Sequence, residues 1–89
     1  MTKERELERV LKALANRRRL AILKYIKTSR EASVGEIAEV IRLSLKATSK
    51  HLAILAAAGI LERDQRSNSA FYRVTPAQKP PSKQLIAIL

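Results

Sequence analysis

The sequence predicts a mainly α domain closed by a small β-hairpin, with its elements in the order α-α-α-α-β-β-α. Three observations predict it. Apolar residues recur at helical spacing as far as Ala58, Gly59 then marks a switch to short strand-like runs, and Pro76, Pro80 and Pro81 punctuate the exit. Eighty-nine residues make one domain, and an apolar share of 46% is that of a chain that folds.

Leu7, Val10, Leu11 and Leu14 fall on one helical face, giving a first helix from about Lys3 to Ala15. Asn16 is a good cap for a second helix, with Leu20, Leu23 and Ile26 inward and Ile22 and Tyr25 widening the stripe. Thr28 to Ala32 is polar and reads as a loop. Ser33 precedes a short third helix, Gly35 to Ile41, with Ile37, Ala38 and Ile41 inward. Ser44 caps a fourth, Leu45 to Ala58, whose buried stripe is Thr48, Leu52 and Leu55. Gly59 stands where a left-handed residue ends a helix without strain. Ile60 to Gln65 and Ala70 to Val74 are two strands around the polar turn Arg66-Ser67-Asn68-Ser69. Residues 1–76 thus form the folded unit, and 77–89 are a linker and an apolar segment that can form a last helix. Leu85, Ile86, Ile88 and Leu89 arrive where a small domain has little interior left, so they are expected in water, as part of a homodimer interface shared with the first helix.

Composition excludes much. There is no Cys, one His, one Asp and no Gly-rich phosphate loop, so neither a catalytic constellation nor a metal or cofactor site is expected. Three glutamates in the opening segment do not fit a signal peptide, and no apolar run is long enough to cross a bilayer, so a cytoplasmic protein is expected. Charge points further. Lys and Arg number 18 against 8 Asp and Glu, a net charge of +10 that suits a polyanion. The signs are segregated: Arg9 to Arg30 holds eight basic residues and no acid, and Ile41 to Leu89 holds eight basic and two acidic.

Gly35–Ile41, the turn Arg42-Leu43-Ser44 and Leu45–Ala58 together read as a helix-turn-helix. The second of these helices can place its first turns in a major groove about 12 Å wide. Its outward residues are Lys46, Ala47, Ser49 and Lys50, with His51 at the edge and Ser44 at the cap, and no acid occurs from Leu45 to Leu61. The hairpin that follows carries Arg63, Arg66 and Arg73, which can reach flanking phosphates or a minor groove; a basic hairpin after a recognition helix is the wing of a winged helix. Tyr25, Phe71 and Tyr72 read as packing residues.

At this point the sequence resembles the ArsR family of transcriptional regulators. The run from Leu11 to Leu23 is similar to the family's LKALADPTRLRIL, and the run from Leu43 to Leu55 resembles its recognition helix LSQSTVSRHLKVL. Ala58-Gly59-Ile60-Leu61 and Phe71-Tyr72-Arg73-Val74 are similar to its AGLV and YYRL hairpin signatures. The resemblance implies a winged helix that binds double-stranded DNA as a homodimer and represses by covering a promoter. Ser33 and Gly35 stand where the family's thiolate metal sensors carry the cysteines of ELCVCDL, and 81–89 has no counterpart of its Asp and His ligands, so no metal-sensing site is expected. The DNA-binding residues expected are Ser44, Lys46, Ala47, Ser49, Lys50, His51, Arg63, Arg66 and Arg73. Two other classes remain open to a winged helix, a protein-docking module and an RNA-binding protein. The acid-free helix argues against the first, and the lack of aromatics on the basic face against the second. The sequence names no small-molecule effector.

Overall fold

The computed structural model describes residues 3–78 and 80–89; Met1, Thr2 and Lys79, which the units read as 1–76 and 77–89 include, lie outside the described residues. The described elements are α1 (Lys3–Leu14), α2 (Arg17–Ser29), β1 (Ala32–Ser33), α3 (Val34–Ile41), α4 (Leu45–Ala57), β2 (Leu61–Arg66), β3 (Ser69–Val74) and α5 (Ser82–Ala87).

The helix starts follow from the expected caps. The Asn16 side chain accepts from the backbone N–H of Arg18 (3.0 Å) and Arg19 (3.1 Å), and Ser44 Oγ accepts from Ala47 N–H (3.1 Å). At α3 the Ser33 hydroxyl and the Glu36 carboxylate exchange bonds with each other's backbone N–H, a capping box. Gly59 closes α4 at φ 76°, and a Cβ there would meet nothing within 4 Å, so its glycine answers to conformation alone. The helix-turn-helix corner is made by Arg42 at φ 57°, whose N–H bonds to the carbonyls of Ala38 and Glu39.

The loop expected over Thr28–Ala32 is corrected at both ends, since Thr28 and Ser29 complete α2. Ala32 and Ser33 form β1, which pairs antiparallel with Tyr72 and Phe71, giving a three-stranded sheet in the order β1-β3-β2. The partner lies far along the chain, so no local pattern in Ala32-Ser33 announces the strand. In the hairpin, Glu62 faces Arg73, Asp64 faces Phe71 and Arg66 faces Ser69.

The core gathers Ile22, Leu23 and Ile26 of α2, Ile37 of α3, Leu52 and Leu55 of α4, and Ile60, Leu61 and Tyr72 at the sheet. Each large aliphatic buried there contributes about 1.5–3 kcal/mol. The stripe on α1 divides: Leu14 is buried and Val10 packs against the core, whereas Leu7 and Leu11 are 43% and 44% exposed. The C-terminal segment also departs from expectation. Of its four aliphatics only Ile88 is strongly exposed; Ile86 is buried, and Leu85 and Leu89 pack on the core. Polar anchors hold the segment there. Lys27 Nζ donates to the carbonyls of Ile86 (3.2 Å) and Ala87 (2.9 Å) at the open end of α5. Gln78 Nε2 donates to the carbonyls of Ile60 (2.9 Å) and Thr75 (3.0 Å) and accepts through Oε1 from the Ser82 hydroxyl (2.9 Å).

Candidate nucleic-acid interface

The first turns of α4 present a polar, cationic face. Ser44, Leu45, Lys46, Ser49 and Lys50 are exposed and Ala47 is half-buried. Among the described residues neither Lys46 nor Lys50 is ion-paired, so both ammonium groups are available to an anion. The opposite side of α4 enters the core through Thr48, Leu52 and Leu55. Thr48 is fully buried, and among the described residues its hydroxyl has no hydrogen-bond partner. A β-branched residue of that size fits the site, but its oxygen loses water and gains nothing in return.

The sequence-predicted His51 is tied into the fold. Arg19, in the first turn of α2, donates through Nε to the Ala13 carbonyl (2.7 Å) and through Nη2 to the Lys12 carbonyl (3.1 Å), which are open carbonyls at the end of α1. Its Nη1 lies 3.2 Å from His51 Nδ1. A guanidinium only donates, so Nδ1 is the acceptor and the imidazole is neutral with its proton on Nε2. Burial and then the charges of Arg19 and Arg18 hold the His51 pKa below its ordinary value, which favours that neutral form. One side chain thus joins the end of α1, the start of α2 and the recognition helix.

The wing is built otherwise. Arg66 Nη1 and Nη2 bind both oxygens of Glu31 (2.9 and 2.6 Å), its Nε binds Asp64 (2.9 Å), and its guanidinium carbon lies 4.7 Å from the centre of the Phe71 ring. Arg73 Nε binds Glu62 across the hairpin (2.6 Å), and its Nη1 lies 3.9 Å from Asp64. The bond from Arg66 holds the Glu31 pKa below the ordinary carboxylate value, and the bonds to Glu31 and Asp64 raise that of Arg66. Arg63 differs: it is exposed and donates to the neutral Gln65 Oε1 (2.6 Å), and among the described residues it pairs with no carboxylate.

Of the nine residues expected from the sequence, the fold collects Ser44, Lys46, Ala47, Ser49 and Lys50 at one helix end, holds His51 against Arg19, and places Arg63, Arg66 and Arg73 on the hairpin. Sequence reasoning missed Leu45 and Glu31 as parts of this surface; for Arg19, within Arg17-Arg18-Arg19, it offers a phosphate contact or a carboxylate pair, and the structure instead ties Arg19 to two carbonyls and His51. Leu45 is 60% exposed at the first position of α4, where the family motif has a glutamine, and that substitution was its only signal. Arg19 and Glu31 act through residues 32 and 35 positions away, beyond any local pattern.

A family profile described as a helix-turn-helix domain matches residues 14–64. The chain is 38% identical over 69 residues to the transcriptional activator HlyU of Vibrio cholerae, a match covering 78% of this chain and 63% of that protein. The solved structure of V. cholerae HlyU superposes with a TM-score of 0.81 at 34% identity, covering 99% of this chain and 92% of that one. The chain belongs to the ArsR family of winged helix-turn-helix transcriptional regulators. A further relative is the homodimeric winged helix-turn-helix DNA-binding domain of a possible ArsR-family regulator from Mycobacterium bovis (TM-score 0.81, 30% identity, 96% of this chain and 75% of that one). The chain spans somewhat less than two-thirds of the length of curated HlyU. These relatives are transcriptional regulators, not enzymes. Among the described residues no helix is long and apolar enough to cross a membrane, and no three His, Asp or Glu side chains gather as a metal site.

Proposed function

We propose that this family member is a homodimeric, sequence-specific binder of double-stranded DNA in the cytoplasm and represses by occupying a site that overlaps a promoter. The observation that carries the reading is the exposed, acid-free start of α4, where Lys46 and Lys50, beside Ser44, Ala47 and Ser49, are unpaired among the described residues. Side chains on the first turns of a recognition helix reach base edges, and a hydroxyl or ammonium there binds base acceptors or phosphate. Arg63 supplies a cation from the hairpin.

The dimer reading rests on α1. Leu7 and Leu11 line a shallow groove of about 340 Å³ between Glu4, Glu8, Lys12 and Ala15, apolar surface that this chain's own core does not cover. A two-fold pairing of that helix would set half-sites about 10 bp apart, or a multiple of it. The M. bovis relative, described as homodimeric, supports the same assembly.

The test is binding of the protein to random-sequence duplex DNA, duplex RNA and single strands at low salt, with mass measured by light scattering. Duplex DNA is expected to bind tightest, with affinity falling steeply with salt, at about 0.9 in log K per log salt for each phosphate neutralised. Leu11→Glu is expected to yield a folded monomer. Equal binding of RNA, or a monomeric wild-type protein, would overturn the corresponding half of the proposal. Selection of bound sequences from the random-sequence duplex gives the preferred site; transcription in vitro from a promoter containing it reads the sign of regulation, and unchanged or increased transcript would remove the repressor.

A further inference from the structure

We propose that Arg66 is a positioning residue of the wing and not a phosphate contact: with Glu31 it forms a clasp across the sheet that fixes the hairpin's direction and leaves Arg63 as the wing's cation for DNA. This rests on the DNA-binding reading above.

Strand alternation puts the parts in place. Successive side chains point to opposite faces, so Glu62, Asp64 and Arg66 of β2 share one face with their partners Arg73, Phe71 and Ser69 of β3. The register of β1, with Ala32 opposite Tyr72, continues back to put Glu31 beside Arg73 on that same face. β3 lies between β1 and β2, so Arg66 must cross it to reach Glu31. It does so over the Phe71 ring, whose centre lies 4.7 Å from the guanidinium carbon, and grips both Glu31 oxygens at 2.9 and 2.6 Å. Asp64 at 2.9 Å takes the remaining Nε. Every nitrogen of the guanidinium bonds a carboxylate, and its carbon lies over an aromatic ring.

The charge balance of this face decides its role. Glu31, Glu62 and Asp64 stand against Arg66 and Arg73, two cations for three carboxylates. For Arg66 to take a phosphate it would have to release two carboxylates into the field of the same polyanion. Arg63 points to the opposite face of the hairpin, with a neutral partner and, among the described residues, no carboxylate to release. A clasp also answers a structural need. β1 is two residues long, so few ladder bonds hold the hairpin to the body, and the Glu31–Arg66 bridge extends that attachment towards the hairpin tip.

Two measurements test this. In the first, duplex affinity is followed across salt for wild type, Arg63→Ala, Arg66→Ala and Arg66→Lys. Each phosphate contact adds about 0.9 to the slope of log K against log salt. Arg63→Ala is expected to lower the slope by about that amount, while Arg66→Ala loses affinity several-fold with the wild-type slope. Arg66→Lys is expected to behave like Arg66→Ala, because an ammonium keeps the charge but not the planar fork. A reduced slope in Arg66→Ala, with rescue by Lys, would make Arg66 a phosphate contact and overturn the proposal. The second measurement needs no DNA: amide exchange over residues 61–74 is expected to quicken several-fold in Arg66→Ala and in Glu31→Gln, with no further gain in the double variant. Unchanged exchange would remove the clasp. A wild-type protein that binds no duplex would defeat the DNA reading, and the exchange experiment would still decide whether the clasp exists.

Discussion

The recognition helix and the wing are both basic in sequence, yet their cations stand in different states. On α4, Lys46 and Lys50 project from a stretch without a single acid and are unpaired among the described residues. On the hairpin, Arg66 and Arg73 are held by Glu31, Asp64 and Glu62, which leaves Arg63. The difference teaches that formal charge and available charge are separate quantities. Free lysines act as mobile point charges towards an anion, whereas paired arginines stiffen the element that carries them.

The largest effect that sharpens this contrast is expected at Lys46. Lys46→Ala should cost about 1–3 kcal/mol of discrimination between a selected duplex and a scrambled one, the worth of one good base-edge contact. Arg66→Ala should weaken both duplexes alike. Titrating the two variants against both sequences checks it, and equal losses for Lys46→Ala would reduce Lys46 to a backbone anchor. Next in size is Arg19→Ala. It opens two carbonyls at the end of α1 and removes the acceptor bond at His51, and half-buried charge-assisted bonds of this kind should together be worth about 2 kcal/mol of folding stability. The same change at Arg66 should cost less, since its pairs are exposed and screened. Urea unfolding of both variants measures the difference, and a larger loss at Arg66 would reverse the comparison.

What could be read in the sequence divides along the same line. The caps Asn16 and Ser44 and the left-handed Gly59 were legible because a cap answers to residues within three positions of itself, whereas Ser33 was legible only as the residue ahead of α3. The inward stripes of α2, α3 and α4 were legible from their spacing, as was the division of α4 into core and outward sides. What the sequence hid was non-local. β1 is defined by Tyr72 and Phe71, the Arg66 clasp by Glu31, and the state of His51 by Arg19. Ile86 was expected in water because nothing local reveals that the core still has room for it, or that Lys27 waits to cap α5.

A smaller effect is expected on the inward side of the recognition helix. Thr48→Val exchanges an unbonded buried hydroxyl for a methyl of nearly the same shape. It should raise stability by about 1 kcal/mol, the lower end of the cost of an unsatisfied buried group, and leave duplex affinity unchanged because Thr48 is fully covered. A loss of stability in urea unfolding would mean that the hydroxyl has a partner in solution, such as a bound water.

The smallest effects are expected in acid, where the two regions should yield in separate windows. His51 has an ordinary value of 6.5, lowered in the fold, so on acidification the unfolded chain takes up its proton first. The neutral-imidazole contribution is therefore complete above about pH 6.5 and is lost as pH falls below it, until the folded imidazole also protonates and its bond from Arg19 ends. Glu31 has an ordinary value of 4.5, also lowered, so its contribution is complete above about pH 4.5 and is lost as pH falls through the folded value. Both slopes have the same sign, but the recognition-helix side begins to weaken roughly two units earlier than the wing, as the two ordinary values require. Urea midpoints between pH 8 and pH 3 should then fall in two steps. His51→Gln should flatten the first, since glutamine does not titrate there, and Glu31→Gln should flatten the second. If His51→Gln leaves the first step in place, another group carries it, and the neutral Nδ1 acceptor is not what couples Arg19 to the recognition helix. If Glu31→Gln removes the first step instead, the two regions are not separable by charge, and the contrast between a free helix and a clasped wing fails with them.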